Sequence, residues 1–375
     1  MLPLLSAWTL DSLISIALSS PAFESIELRR AAWTERAYQY GRLSNPLLSL
    51  EVEEGSRGIF LEQELVSPMV ISGQRRLWEA ERKLLDVQMR SDSFALIIAV
   101  KALYIRAIYT KELVEITRRT VLRIDSLRKV VERGHRAGRF PLTHVLAMES
   151  RLKHHSSLLE MLESEYRAYL GRLSALLGVR VDTLAGSLWI PDNLKAVSFS
   201  PDSAIPVLTA GASSRIALYR SRISSGSLWR LSFYAGVWSD PASGSRWYSA
   251  GISIPVPVFD SRKGEARYWE RMSQAYRMDS LFALRRIEGF LQEYDVRMKA
   301  LLSRLEAVEG VEIPLALRMY DRALRNYTKG GASYLEVLDA LQLLHEKRVE
   351  RADYIMEILN MCMELESIFG RCVRR

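Results

Sequence analysis

The chain has 375 residues, with 52 Lys and Arg against 44 Asp and Glu, a formal charge of +8, and 48% apolar side chains. That composition excludes wholesale disorder. Gly and Pro are sparse at 20 and 12, which points to long uninterrupted elements, and two cysteines, Cys362 and Cys372, exclude a disulfide framework.

Met1–Ala7 (MLPLLSA) lacks the basic start and the apolar length of an export signal. A short capped helix is expected over Thr9–Leu18, with Thr9 or Asp11 at its cap, and a second over Pro21–Leu43, ended by Asn45-Pro46. The period then changes. Leu48, Leu50 and Val52 alternate with Ser49, Glu51 and Glu53, a strand pattern over 47–54. A turn at Gly55–Gly58 leads to a return strand over 59–66. There Ile59, Leu61, Gln63 and Leu65 share one face, with Glu62 and Glu64 on the other. From about Gln74 to Ala137 the chain reads as one helix, roughly 95 Å long. Gly138-Arg-Phe-Pro141 breaks it, and a helix over Leu142–Leu177 follows, stopped by Gly178. Residues 179–202 read as a linker.

The same order then returns. Helix is expected over 203–226, and alternating strands over 229–238 and 246–256. A long helix over Glu265–Thr328 is interrupted near Gly310–Pro314, and the last helix is expected over Tyr334–Phe369. Leu231, Phe233, Ala235 and Val237 share a face, as do Tyr248, Ala250, Ile252 and Ile254. Trp229, Trp247 and Tyr248 lie near strand ends, where an aromatic belt would sit, although Trp247 falls in the opposite set. Pro314 either kinks the long helix or, with Gly310, splits it. The chain is thus an internal repeat, 9–178 and 203–370, intertwined into one unit. Gly138–Ala147 lies over Gly331–Ala340 at a shift of 193, and the other punctuation points at 191 and 192.

The longest apolar run, Phe94–Val100, falls short of the ~18 residues of a membrane helix, so no helical span is expected. Strands remain a route through a membrane. Four strands cannot close a barrel, but three chains would supply twelve. No P-loop, zinc-finger spacing, RNP-like strand, GxSxG or Rossmann fingerprint is present, and acids interleave with the basic residues. No catalytic residue, metal site, cofactor or nucleic-acid partner is expected.

Four stretches carry a resemblance: SNPLLSLEVE (44–53), GQRR (73–76), ISIPVPVFDSRKGEAR (252–267) and YTKGGASYLEVLDA (327–340). With them the chain resembles the TolC-like outer-membrane efflux protein family, and within it the cation-efflux (CzcC-like) branch. The resemblance implies a non-enzymatic homotrimer in the outer membrane of a Gram-negative-type bacterium. Its fold would be mainly α, with a 12-stranded β-barrel on a long periplasmic α-helical barrel. The partners implied are outer-membrane lipid, a periplasmic adaptor and an inner-membrane pump, most readily of the RND type. By the same resemblance, Glu336 and Asp339 would ring the periplasmic entrance as a gate. Gly138, Leu142, Gly331 and Leu335 would form tips that the adaptor docks on. Glu51, Glu53, Glu62 and Glu64 would face the barrel lumen. The plainer readings are solvated helix carboxylates, ordinary turn residues and a solubility face. Cargo stays open between metal cations, drugs and a secreted polypeptide, and a soluble coiled-coil scaffold is the rival of another class.

Overall fold

The computed structural model describes residues 7–37, 40, 42, 44–53, 56–190, 199–226, 230–254 and 262–371. Most of the Met1–Ala7 stretch, Gly55, Trp229, Pro191 and the IPVPVFDS portion beyond Ile254 lie outside them. The elements are α1 (Leu10–Ala17), α2 (Pro21–Ala37), β1 (Leu47–Glu53), β2 (Ser56–Val66), α3 (Pro68–Arg136) and α4 (Leu142–Leu177). After them come α5 (Ile205–Gly226), β3 (Arg230–Ser239), β4 (Arg246–Ser253), α6 (Lys263–Ala307), a five-residue π turn (Val308–Glu312), α7 (Ile313–Thr328) and α8 (Tyr334–Phe369). Thr9 caps α1 in a reciprocal box with Ser12. α3 runs 69 residues, starting at Pro68 rather than near Gln74, because Pro is favourable in a first helical turn. α4 and α8 are each 36 residues and each stops at a left-handed glycine, Gly178 and Gly370.

Two compact units divide the chain. One comprises residues 1–24, 93–199 and 289–375; the other comprises 25–92 and 200–288. Neither corresponds to one repeat: each draws elements from both halves of the sequence.

In the first unit, Ile124, Leu127 and Val131 of α3 pack with Val145 and Met148 of α4, Tyr320 and Tyr327 of α7, and Val337, Leu341 and Leu344 of α8. One 18-residue stretch of α3 is apolar enough, by length and composition, to cross a bilayer, which corrects the expectation that no helix is. A third of that stretch is buried in the chain itself. Val100, Tyr104, Ala107 and Ile108 recur there at helical spacing as core residues. Lys101 joins them by donating from Nζ to both carboxylate oxygens of the fully buried Glu366, at 2.8 and 2.6 Å. The stretch 179–190 is pinned rather than loose. Trp8 pairs with it through Trp8 N–H to Thr183 O and Ala185 N–H to Trp8 O, and Val181, Leu184 and Leu188 are buried.

Ahead of Pro314 the helix passes through the π turn Val308–Glu312, between α6 and α7. Pro314 has no N–H for the carbonyl of Gly310. The chain absorbs this by widening one turn, so that Ile313 N–H reaches back five residues to Val308 O. Ion pairs tie the wide turn to α8: Glu309 with Arg351, and Glu312 with Lys347 at 2.8 Å.

The second unit holds a four-stranded antiparallel sheet in the order β1-β2-β3-β4. Leu47 pairs with Glu62, Val66 with Arg230, and Ser232 with Ser253. That register places the strand ends joined to α2, α3, α5 and α6 together at one end of the sheet, and the two hairpin turns at the other.

Candidate functional site: the two-faced sheet and the helical tips

The sheet separates its residues as the alternation requires. On one face, successive cross-strand rows read Leu50–Ile59–Val237–Tyr248, then Leu48–Leu61–Ala235–Ala250, then Gln63–Phe233–Ile252. Among the described residues nothing covers this face: Leu50 is 75% exposed, Leu48 65% and Ile252 62%. The row nearest the hairpins turns polar, with Val52, Arg57, Ser239 and Arg246. A contiguous exposed apolar face marks a surface that meets another chain or a membrane. Among the described residues the outer edges of β1 and β4 also lack a strand partner, an arrangement that invites pairing with another chain.

Glu51, Glu53, Glu62 and Glu64 all stand on the opposite face. Glu53 pairs with Ser56 and Glu51 with Gly58 toward the hairpins, while Glu62 and Glu64 lie toward the helix end. The four form two tiers rather than one patch. Between and beside them lie aromatic residues, of which the alternation had drawn attention to Trp247 but not to Phe60 or Trp238. Phe60 meets Trp238 edge-on at 5.2 Å, and Trp238 stacks on Trp247 at 6.1 Å. Glycines leave room for these rings. A Cβ on Gly58 would come within 3.0 Å of the Trp238 ring, and one on Gly236 within 2.9 Å of Ile59 O and into the Phe60 ring. Small residues facing large ones across β2 and β3 were the signal available. Trp247 belongs to this face, so it does not join an outward aromatic belt with Tyr248.

At the helical tips, both reversals use one device. Gly138 (φ 69°) follows α3 and Gly330 (φ 81°) follows α7, each in the left-handed region. Arg139 N–H returns to Gly134 O at 2.8 Å, and Gly331 N–H to Asn326 O at 2.9 Å, each closing a Schellman turn. The left-handed residue is therefore Gly330, not Gly331. The repeat shift here is 192 rather than 193, so Leu142 is matched by Tyr334 and Val145 by Val337, both of the latter pair buried. The tips touch through aromatic rings: Phe140 stacks on Tyr327 at 5.4 Å, and His144 meets Tyr334 at a tilt, at 4.0 Å. Leu142 and Leu335 are both about half exposed, at 54% and 52%.

Glu336 and Asp339 are exposed on the first turns of α8. Glu336 has a structural duty: its carboxylate accepts from Ser333 N–H at 3.3 Å, while Ser333 Oγ accepts from Glu336 N–H at 3.2 Å, a complete capping box. Asp339 carries no such bond. Further along the same bundle, His155 of α4 and His345 of α8 meet edge-on at 5.3 Å, and His345 Nδ1 bonds Thr120 Oγ1 at 3.1 Å. Burial lowers the pKa of both; His155 is pushed down to about 4, further helped by His345, His154 and Arg151. Among the described residues no group of three or more His, Cys, Asp or Glu could hold a metal ion.

The whole chain superposes on solved outer-membrane channels. VceC of Vibrio cholerae matches at a TM-score of 0.79 and 14% identity, over 97% of this chain and 96% of that one. CusC, described in the context of transmembrane channel formation, matches at 0.75 and 16%, over 98% and 95%. The outer-membrane channel OprN matches at 0.74 and 19%, over 96% and 89%. The fold is that of a TolC-like outer-membrane channel. No family model matches the chain, and no curated protein matches it in sequence. The channel fold accounts for the exposed apolar face, the open sheet edges and the long paired helices together. It does not single out the cation-efflux branch.

Proposed function

We propose that this chain is the outer-membrane exit duct of a tripartite efflux system, acting as a homotrimer and doing no chemistry of its own. The observation that carries the reading is the four-stranded sheet, with an uncovered apolar face, a polar and aromatic reverse face, and two open edges. β4 of one copy pairs with β1 of the next, and three copies close twelve strands around a lumen. The apolar rows then meet lipid. The two tiers of Glu51/Glu53 and Glu62/Glu64, with Phe60 and Trp238 between them, line the exit.

In the same reading Leu142 and Leu335, beside Gly138 and Gly331 at the tips, present apolar side chains to the adaptor, which couples the duct to an inner-membrane pump, first of all of the RND type. Asp339 serves as the entrance gate more readily than Glu336, whose carboxylate is engaged in its helix cap. Three Asp339 side chains brought to one constriction would draw cations in and respond to charge. The resemblance of the YTKGGASYLEVLDA and GQRR stretches extends the reading to heavy-metal cations as cargo; drug or polypeptide export uses the same architecture.

Membrane fractionation and planar-bilayer recording test this. The protein should fractionate with the outer membrane, need detergent, and run as a trimer. Asp339→Ala should preserve the trimer, raise conductance and weaken cation block. A detergent-independent soluble dimer would overturn the duct, and unchanged conductance in Asp339→Ala would remove the gate.

A further inference from the structure

The net charge of +8 has no place in the duct just described. It gathers where the helices meet the sheet. The strand register brings the ends of α2, α3, α5 and α6 to one end of the sheet. The chain next to those ends, over 29–42, 68–83, 215–226 and 262–271, holds 15 Lys and Arg against five Asp and Glu. That excess of ten is larger than the excess of the whole protein. Arg75, Arg76, Arg222, Arg267 and Arg271 are exposed. Among the described residues none of these five has an ion-pair partner.

Tryptophans sit among them, three of the chain's eight: Trp33, Trp78 and Trp269. Each carries a guanidinium over its ring, Arg36 at 5.2 Å, Arg82 at 5.6 Å and Arg220 at 4.8 Å. Arg220 also reaches Glu81 at 3.1 Å, and Tyr40 donates to the other oxygen of that carboxylate at 3.0 Å. So the rings are held, while most of the outer charges stay open. Trp and Arg side by side, directly beyond an apolar band, is the chemistry of a lipid headgroup layer: indole prefers the interface, and guanidinium forks onto phosphate.

We infer that this Arg/Trp collar binds the phosphate groups of anionic membrane lipids in the leaflet at the helix end of the sheet. The inference rests on the sheet spanning the membrane. Charge complementarity and direct continuity with the apolar sheet face select lipid over a soluble anion. The collar fixes the depth of the channel in the bilayer and recruits a shell of anionic lipid around it.

The test is reconstitution of the full protein in vesicles containing brominated phosphatidylglycerol or brominated phosphatidylcholine, with quenching of tryptophan fluorescence as the readout. Wild type should prefer phosphatidylglycerol several-fold, and added salt should weaken the preference. Arg75→Gln/Arg76→Gln/Arg267→Gln/Arg271→Gln should insert normally and lose the preference. Arg167→Gln/Arg172→Gln/Arg322→Gln/Arg325→Gln, in the other unit, should keep it. Equal quenching by both lipids in wild type, or an unchanged preference in the first variant, overturns the collar. Competition by inorganic phosphate beyond that of chloride at equal ionic strength would assign the site to a free anion instead. Failure of wild type to insert into either vesicle would refute the membrane reading itself, a result distinct from insertion without lipid preference.

Discussion

Leu61 sits at the middle of β2, in the row Leu48–Leu61–Ala235–Ala250, and is 50% exposed in the chain. If that face met water, Leu61→Arg would be close to neutral, within about 0.5 kcal/mol, as ordinary surface substitutions are. If it meets lipid, the guanidinium lands near the bilayer midplane and costs about 2–4 kcal/mol per chain, threefold that per trimer. Val52 is also on this face, but in the polar row by the hairpins, beside Arg57. Val52→Arg should therefore cost only about 0–1 kcal/mol. Both side chains are well exposed, so burial within the chain cannot produce the difference; only depth in a membrane can. Denaturant unfolding of protein reconstituted in vesicles, followed by sheet signal and by heat-modifiable migration, measures both. Equal midpoints for the two variants would refute the assignment of the apolar face to lipid.

Lys101→Met should destabilise the first unit by about 3–5 kcal/mol, because it leaves the buried Glu366 carboxylate without its cation. Lys101→Met/Glu366→Leu should recover most of that loss in thermal unfolding, and a double variant worse than the single would count against the pair. Gly236→Ala should impair trimer assembly, measured by heat-modifiable migration on gels, since the added Cβ enters the Phe60 ring and approaches Ile59 O at 2.9 Å. His155 has a folded pKa of about 4, lowered from 6.5 mainly by burial. On unfolding it takes up a proton below about 6.5 while the folded form does not. Stability is therefore lost as pH falls from about 6.5 to 4, by about 1–2 kcal/mol once partial exposure is allowed for. A pH series of melting temperatures should show this acid slope in wild type and a flatter one in His155→Leu.

Much of the fold is legible in the residues themselves. α4 and α8 fall on their expected bounds because each follows a turn at a helical tip and ends on a glycine, Gly178 and Gly370, where the helical apolar pattern stops. The four strands follow from alternation, which fixes faces without any knowledge of partners. Where two glycines are adjacent, pattern alone fails: Gly330 and Gly331 are equally able to be left-handed, and the bond from Gly331 N–H to Asn326 O chooses between them. That single choice moves the repeat register by one residue. The aromatic layer was hidden for another reason. Phe60 interrupts an acidic face, so it reads as noise until β3 supplies Gly236 and Trp238 opposite it. The charge collar is likewise invisible in one dimension, because its arginines are spread over four distant stretches that only the sheet register gathers.

The wide turn ahead of Pro314 alters the phase of its helix. Before it, the buried residues Tyr294, Met298, Leu301, Leu305 and Val308 keep a strict alternation of fours and threes. Continued unbroken, that rhythm would next bury positions 312 and 315. The buried residues that follow are instead Ala316, Tyr320 and Tyr327, displaced by one. One extra residue without an extra turn rotates everything downstream by about 100° around the axis. Because the buried residues are displaced by that same one residue, the apolar stripe stays on one face of the helix through the wide turn. The wide turn thus takes up one added residue and leaves the sealing face of the helix where it was, so that an insertion at this point is silent in the packing on either side.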